Sequence, residues 1–179
     1  MRPIIDRQAF VNATDDDLVK MIAEPSDLND DQLLNDAKGE LILRRLDICT
    51  LFNSIEFTIE SYGTINFLID YASEIPDLLR LAELVKEFEM SDIVDAVQKT
   101  MAFYTQNEER IAYLRGCPED YDEKQQQLHE EYISLEKPQR GVWYHIPLHY
   151  GIQRLAKYIR QNPDEFCLDQ NGQSLRNAL

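Results

Sequence analysis

Glycine is scarce in this sequence: there are six in 179 residues, and only Gly39 and Gly63 precede position 116. Alternating runs of β-branched residues are nearly missing too. The two absences argue against a sheet protein built on tight hairpins. No apolar run reaches the roughly 18 residues that a membrane-spanning helix needs. Cysteine is limited to Cys49, Cys117 and Cys167, widely spaced and without a CxxC pair. That excludes a disulfide framework and a structural zinc site, and leaves buried or partly buried free thiols in a reducing compartment. The opening "MRPIIDRQAF" lacks the apolar core of a signal peptide, so a cytoplasmic location is expected. Positive charge is also short, with 18 basic residues against 33 acidic ones and a net charge of −15. Direct binding to nucleic acid is disfavoured, because phosphates need cations to displace their counterions. An anionic membrane is disfavoured on the same ground. A basic protein or a metal ion is the favoured kind of partner.

What is present is helical periodicity. Thr14 suits a helix N-cap, with Asp15, Asp16 and Asp17 in the first turn and Pro25 closing the segment. Asn29 and Gln32 form a capping-box-like pair that opens a second helix. Leu33, Leu41, Leu46, Ile48, Phe52, Ile55 and Ile59 then keep a mostly helical spacing to about Glu60. This predicts a long central helix. "SYGTINF" breaks it, with Gly63 as the turn residue, and a short helix follows to Ala72. Ser73 and Pro76 open the next helix, Ser91 caps another, and Asn107 begins "EERIAYLR", which Gly116 and Pro118 end. Pro118 suits the first turn of a helix whose inner stripe is Leu128, Tyr132 and Leu135. Pro138 and Gly141 mark a loop, and "PLHYGIQRLAKYIRQ" is the last substantial helix, stopped by Pro163. The prediction is an all-α chain of seven to nine helices. No repeat or linker divides it, so one compact domain over residues 1–179 is expected, loosely ordered at 1–13 and 169–179.

The chemical motifs are thin. Asp27, Asn29 and Asp31 fit the first positions of a calcium loop, but the sixth is Gln32 rather than glycine and the twelfth is Lys38 rather than glutamate. His145 and His149 stand four apart with Pro147 between them and no third ligand in view. His129 precedes Glu130, yet Ile133 stands where a zinc-binding HExxH needs its second histidine. There is no nucleophile elbow and no phosphate-cradling glycine loop. The reading is therefore no enzyme, no cofactor and no metal.

Charge placement carries more. The stretch "TDDDLVKMIAEPSDLNDDQLLND" holds eight acids and one lysine. Residues 46–98 hold eleven acids and two bases, Arg80 and Lys86, whereas residues 137–179 hold three acids and six bases. An acidic surface that serves solubility alone usually intersperses both signs. Here like charges recur at helical neighbours: Asp70/Glu74/Asp77, Glu56/Glu60, Glu83/Glu87 and Asp92/Asp95. Each such pair costs a few tenths of a kcal/mol. Helix-dipole interactions account for Asp15 to Asp17, Asp30, Asp31 and Asp92 at predicted N-termini, but not for acids that sit mid-helix. The basic final helix, with Arg154, Lys157 and Arg160, is one candidate counter-charge. The alternative use is external. Carboxylates four apart on a helix lie about 6 Å apart along its axis, comparable in scale to successive phosphates on a DNA strand. A protein that normally grips the DNA backbone could dock on such a lattice. The candidate phosphate surrogates are Asp70, Glu74, Asp77, Glu83, Glu87, Asp92 and Asp95. Asp15, Asp16, Asp17, Asp30 and Asp31 form a second patch.

The stretch "ESYGTINFLIDYASEIPDLLRLAELVKEFEMSDIVDAVQKTM", with "PEDYDEKQQQLHEEYISLE", resembles a family of small all-helical bacterial proteins of unknown function. One member is a dimeric DNA mimic that occupies the DNA-binding surface of a helix-turn-helix transcription factor. The family's turn carries Gly-Gly-Phe, where this chain has Tyr62, Gly63 and Thr64. The resemblance implies a cytoplasmic homodimer that competes with DNA for a transcriptional regulator. Trp143, Tyr144 and Tyr150 in the less acidic C-terminal third are one candidate interface, and core filling is their other use. The other functional class is an acidic adaptor or immunity-type protein that occludes a basic toxin or enzyme.

Overall fold

A computed structural model describes residues 3–23, 37–135 and 146–176. The described residues are all-α, as expected, and the only β feature among them is an isolated parallel bridge between Ile4 and Leu168. The helices are α1 (Arg7–Asn12), α2 (Asp15–Ala23), α3 (Ala37–Asp70), α4 (Ile75–Leu84), α5 (Ser91–Gln106), α6 (Glu108–Arg115), α7 (Tyr121–Leu135) and α8 (Leu148–Gln161). Short 3-10 turns stand at Ala72–Glu74, Val85–Phe88 and Pro163–Glu165. The long helix expected from the apolar spacing is α3, 34 residues interrupted at Gly63. Among the described residues no helix is long and apolar enough to cross a membrane. The starts proposed at Asn29 and Gln32, the calcium-loop positions Asp27 to Lys38, and the loop at Pro138 and Gly141 lie wholly or partly outside the described residues.

The chain forms two compact units, Met1–Ser54 with His149–Leu179, and Ile55–Leu148. In the first, α2 turns Leu18, Val19 and Ile22 inward, and α8 does the same with Ile152, Leu155, Ala156 and Ile159. Both sets follow the i, i+3, i+4 rule of a helix with one apolar face. Thr14 caps α2 as its sequence predicts: its hydroxyl accepts from the Asp17 amide at 3.1 Å and donates to the Asp17 carboxylate at 2.7 Å. Residues 3–13, expected to be loose, are pinned. Asp6 caps α1 through the amides of Gln8 and Ala9, Phe10 is fully buried, and the Ile5 amide donates to Leu168. Residues 169–176 are likewise organised: the Asp169 carboxylate accepts from the amides of Asn171 and Gln173, and Leu175 is buried. A polar sequence looked like fraying because its partners are backbone groups close by, which composition does not reveal.

The same unit buries Arg45. Its Nε donates to Glu165 at 2.9 Å and its guanidinium lies 5.7 Å from the Tyr158 ring centre. The Tyr158 hydroxyl also donates to Glu165, at 3.1 Å. A buried guanidinium requires such a partner, since an unpaired charge there costs several kcal/mol, on the order of 3–5. Burial pushes the Cys49 thiol well above its ordinary range, and Cys167 is buried too, whereas Cys117 is exposed rather than partly buried.

In the second unit, α4 packs on α5, α5 on α6, and α6 on α7. Sequence neighbours are spatial neighbours, as short connections dictate. Leu78, Leu81, Val85, Ile93, Val97 and Leu128 are fully or almost fully buried. Phe103 and Tyr132 meet edge to face with centroids 5.1 Å apart. Thr100 spends its one hydroxyl proton on the Ala96 carbonyl, so the 2.8 Å bond to Tyr132 takes its proton from the tyrosine. Tyr132 and Leu128 thus hold the inner stripe of α7, but Leu135, assigned to that stripe, is 59% exposed at the helix end. Asn107 begins α6 as expected, whereas Ser91, expected to cap α5, is its first residue, and the N-cap Met90 makes no side-chain capping bond. Asn107 donates to the Phe103 carbonyl and accepts from Arg110. Pro118 precedes α7 by three residues rather than sitting in its first turn. At the end of α3, Arg115 donates to the carbonyls of Leu68 and Ile69, both at 3.0 Å. Those groups have no partner within the helix, and a cation there also suits the dipole.

Candidate acidic interaction surface

The second unit carries 19 acidic and eight basic residues, a net −11 of the chain's −15. None of its described carboxylates belongs to the buried class. All seven candidates of the main patch lie here: Glu74 is half-buried, and Asp70, Asp77, Glu83, Glu87, Asp92 and Asp95 are exposed. Asp70, Asp77 and Asp95 have no ion-pair partner among the described residues.

The structure places these groups differently from a continuous helical lattice. Asp70 is the last residue of α3, Glu74 ends a 3-10 turn, and Asp77 lies in the first turn of α4. They are therefore not neighbours on one helix. Asp77 and Asp92 both occupy helix first turns, where the dipole stabilises them. The Thr58 hydroxyl donates to Glu74 at 3.4 Å. Glu83 is held by Lys86 at 2.7 Å, so one of the two bases in the acidic stretch answers it directly. The other, Arg80, stands three residues from both Asp77 and Glu83 on α4 and is exposed. Glu83 and Glu87 fall on α4 and the following 3-10 turn, respectively. Among the candidate surrogates only Asp92 and Asp95 share a helix in the way the spacing suggested; outside that set, Glu56 and Glu60 do so on α3.

Two members of the second patch, Asp15 and Asp17, are engaged within the fold. Arg160 of α8 donates to Asp15 at 2.5 Å and to the Ala13 carbonyl at 2.9 Å. Asp17 is engaged by the Thr14 hydroxyl. Asp16 is exposed, and Asp30 and Asp31 lie outside the described residues. The final helix therefore supplies a counter-charge for Asp15. Trp143, Tyr144 and His145 are outside the described residues, while Tyr150 is 45% exposed with His149 edge-on to it at 6.0 Å.

Two further carboxylates of the second unit are locked. The Tyr113 hydroxyl and Lys124 hold Asp120 below the ordinary carboxylate range. Arg110 does the same to Glu131 through two hydrogen bonds, at 2.6 and 3.0 Å.

Sequence reasoning passed over an aromatic pair in this unit. Tyr62 and Tyr71 have ring centroids 5.2 Å apart and planes inclined by 35°. Nine residues on an unbroken helix would separate them by about 13.5 Å along the axis, on opposite faces. They meet because Gly63 adopts φ 81° and ψ 158° between them. Gly63 was recognisable as a turn, but its spatial consequence was not. Comparison with family models, with curated proteins and with solved structures finds no match.

Proposed function

We propose that this protein is a non-enzymatic DNA mimic. Its second unit docks on the cationic DNA-binding surface of another protein, a helix-turn-helix regulator, and keeps that surface from DNA. The observation that supports this reading is the three exposed carboxylates Asp70, Asp77 and Asp95, on α3, α4 and α5, which have no ion-pair partner among the described residues. Net −11 on one compact unit repels nucleic acid and draws a basic surface toward it. Glu74, Glu83, Glu87 and Asp92 complete the anionic field. A two-fold assembly of the chain fits the same reading, because regulators of this class bind two-fold operators.

The test is displacement. Partners captured on the immobilised protein at low salt are challenged with duplex DNA. A mimic loses its partner to DNA, and the capture itself weakens steeply as salt rises. Retention of the partner under excess duplex excludes mimicry and leaves the adaptor or immunity-type role. The reversals Asp77→Lys and Asp95→Lys are the informative ones, since Glu83 already has Lys86.

A further inference from the structure

The chain repeats one local arrangement, a tyrosine ring beside a carboxylate, at several places. In the first unit, Tyr158 and Glu165 hold Arg45, with the guanidinium 5.7 Å from the ring centre and 2.9 Å from the carboxylate. In the second unit, Tyr113 and Asp120 hold Lys124, whose Nζ is 4.5 Å from the ring centre and 3.1 Å from the carboxylate. Each of these sites is filled by the chain's own cation. A third instance differs. Tyr62, 50% exposed, and half-buried Tyr71 form a tilted pair flanked by Asp70 and Glu74. Among the described residues no cation pairs with either carboxylate or lies over either ring. Arg115, which holds the adjacent α3 carbonyls, is committed to Leu68 and Ile69 and lies 5.9 Å from the Tyr104 ring centre.

The electrostatics match an anionic surface beside the rings. Tyr71 is pushed above the ordinary phenol range, first by its hydrogen bond with Tyr62, then by desolvation, and further by Asp70 and Glu74. Tyr121 is pushed up by burial first and by Asp70 next. Asp70 thus acts on two rings at once. An aromatic face carries negative charge at its centre and attracts a cation. An ammonium can sit over the ring and meet a carboxylate as a point charge, as Lys124 does, whereas a planar guanidinium also stacks flat on the face and forks its N–H groups to a carboxylate.

We propose that Tyr62 and Tyr71, with Asp70 and Glu74, form a receptor site for an arginine side chain of the basic partner. The inference rests on the acidic-surface reading above and specifies its chemistry: the partner is selected for arginine over lysine at this point, with the remaining carboxylates supplying attraction indifferent to the type of cation.

The probes are hexa-arginine and hexa-lysine peptides of equal charge, titrated into the full chain by calorimetry and by NMR of the tyrosine rings. The expected result is arginine peptide binding about two- to threefold more tightly, because both cations can sit over a ring but only the guanidinium also stacks flat and forks to a carboxylate. The ring signals of Tyr62 and Tyr71 shift with the arginine peptide far more than with the lysine peptide. Tyr62→Leu with Tyr71→Leu brings the two affinities together by lowering that for hexa-arginine more than that for hexa-lysine. Tyr62→Phe, which keeps the ring, retains the preference and serves where the double variant melts early. Equal affinity in the wild type, or a preference that survives loss of both rings, overturns the arginine site but leaves the acidic surface standing. Failure of both peptides to bind overturns the two proposals together.

Discussion

Gly63→Ala is the sharpest test of how this fold is built. At φ 81° and ψ 158° the residue lies where a Cβ is not tolerated and glycine is essentially the only occupant. Holding alanine there costs about 1–3 kcal/mol. Reduced freedom of the unfolded chain offsets about 0.4–1 kcal/mol of that. The net loss is about 1.3 kcal/mol at the midpoints of the two ranges. An escape exists, since alanine favours continuing the helix over glycine by about 1 kcal/mol. Taking it would rotate Ile65, Phe67, Leu68 and Ile69, all 2% exposed or less, away from their places. Core displacement of that kind costs more than the backbone strain it relieves. The strained alternative is therefore the expected one, with a loosened contact between Tyr62 and Tyr71. Urea unfolding followed by far-UV circular dichroism measures the first effect, and ring-to-ring NOEs measure the second. Unfolding within about 0.3 kcal/mol of wild type, well below the expected loss, together with an intact ring contact, would refute the reasoning.

Other expectations concern single residues. Glu89 is an exposed non-glycine residue in the left-handed region, at φ 56° and ψ 33°. That conformation costs about 1–2 kcal/mol, so Glu89→Gly stabilises the chain by about 0.5–1 kcal/mol after the added freedom of the unfolded state; a lower urea midpoint would contradict this. Glu131 is depressed below its ordinary range by Arg110, so its contribution is complete above the unfolded carboxylate value of about 4.3 and is lost as pH falls through the lower native value. Both side chains are largely solvated, at 42% and 52% exposure, which limits the pair to roughly 0.2–1 kcal/mol. Glu131→Gln therefore lowers the urea midpoint slightly at neutral pH, and the gap to wild type closes in strong acid. A gap that widens on acidification would reverse the assignment.

Much of this architecture was written locally. The 3.6-residue spacing of Leu18, Val19 and Ile22, and of Ile152, Leu155 and Ile159, fixed helix type and inner face, because burying one stripe needs no distant information. Thr14 and Gly63 announced a cap and a break through their own chemistry. The less legible features depend on groups far apart in sequence. Leu135 has the right spacing but lies exposed at a helix end, and Asp169 looked like part of a frayed tail although it gathers the amides of Asn171 and Gln173 around its own carboxylate. Charge counting located the acidic stretch. It did not reveal that Asp15 is held by Arg160, 145 residues away, or that Lys86 takes Glu83. Nor could it place Asp70, Glu74 and Asp77 on three separate elements around a turn. By itself the sequence determined the all-helical class, the long helix and the excess of negative charge, since periodicity and composition are properties of the chain before it folds. Tertiary structure alone decided which carboxylates keep a cation and which two tyrosines meet, because ion pairs and ring contacts are set by distance in space, and one glycine dihedral is enough to change that distance.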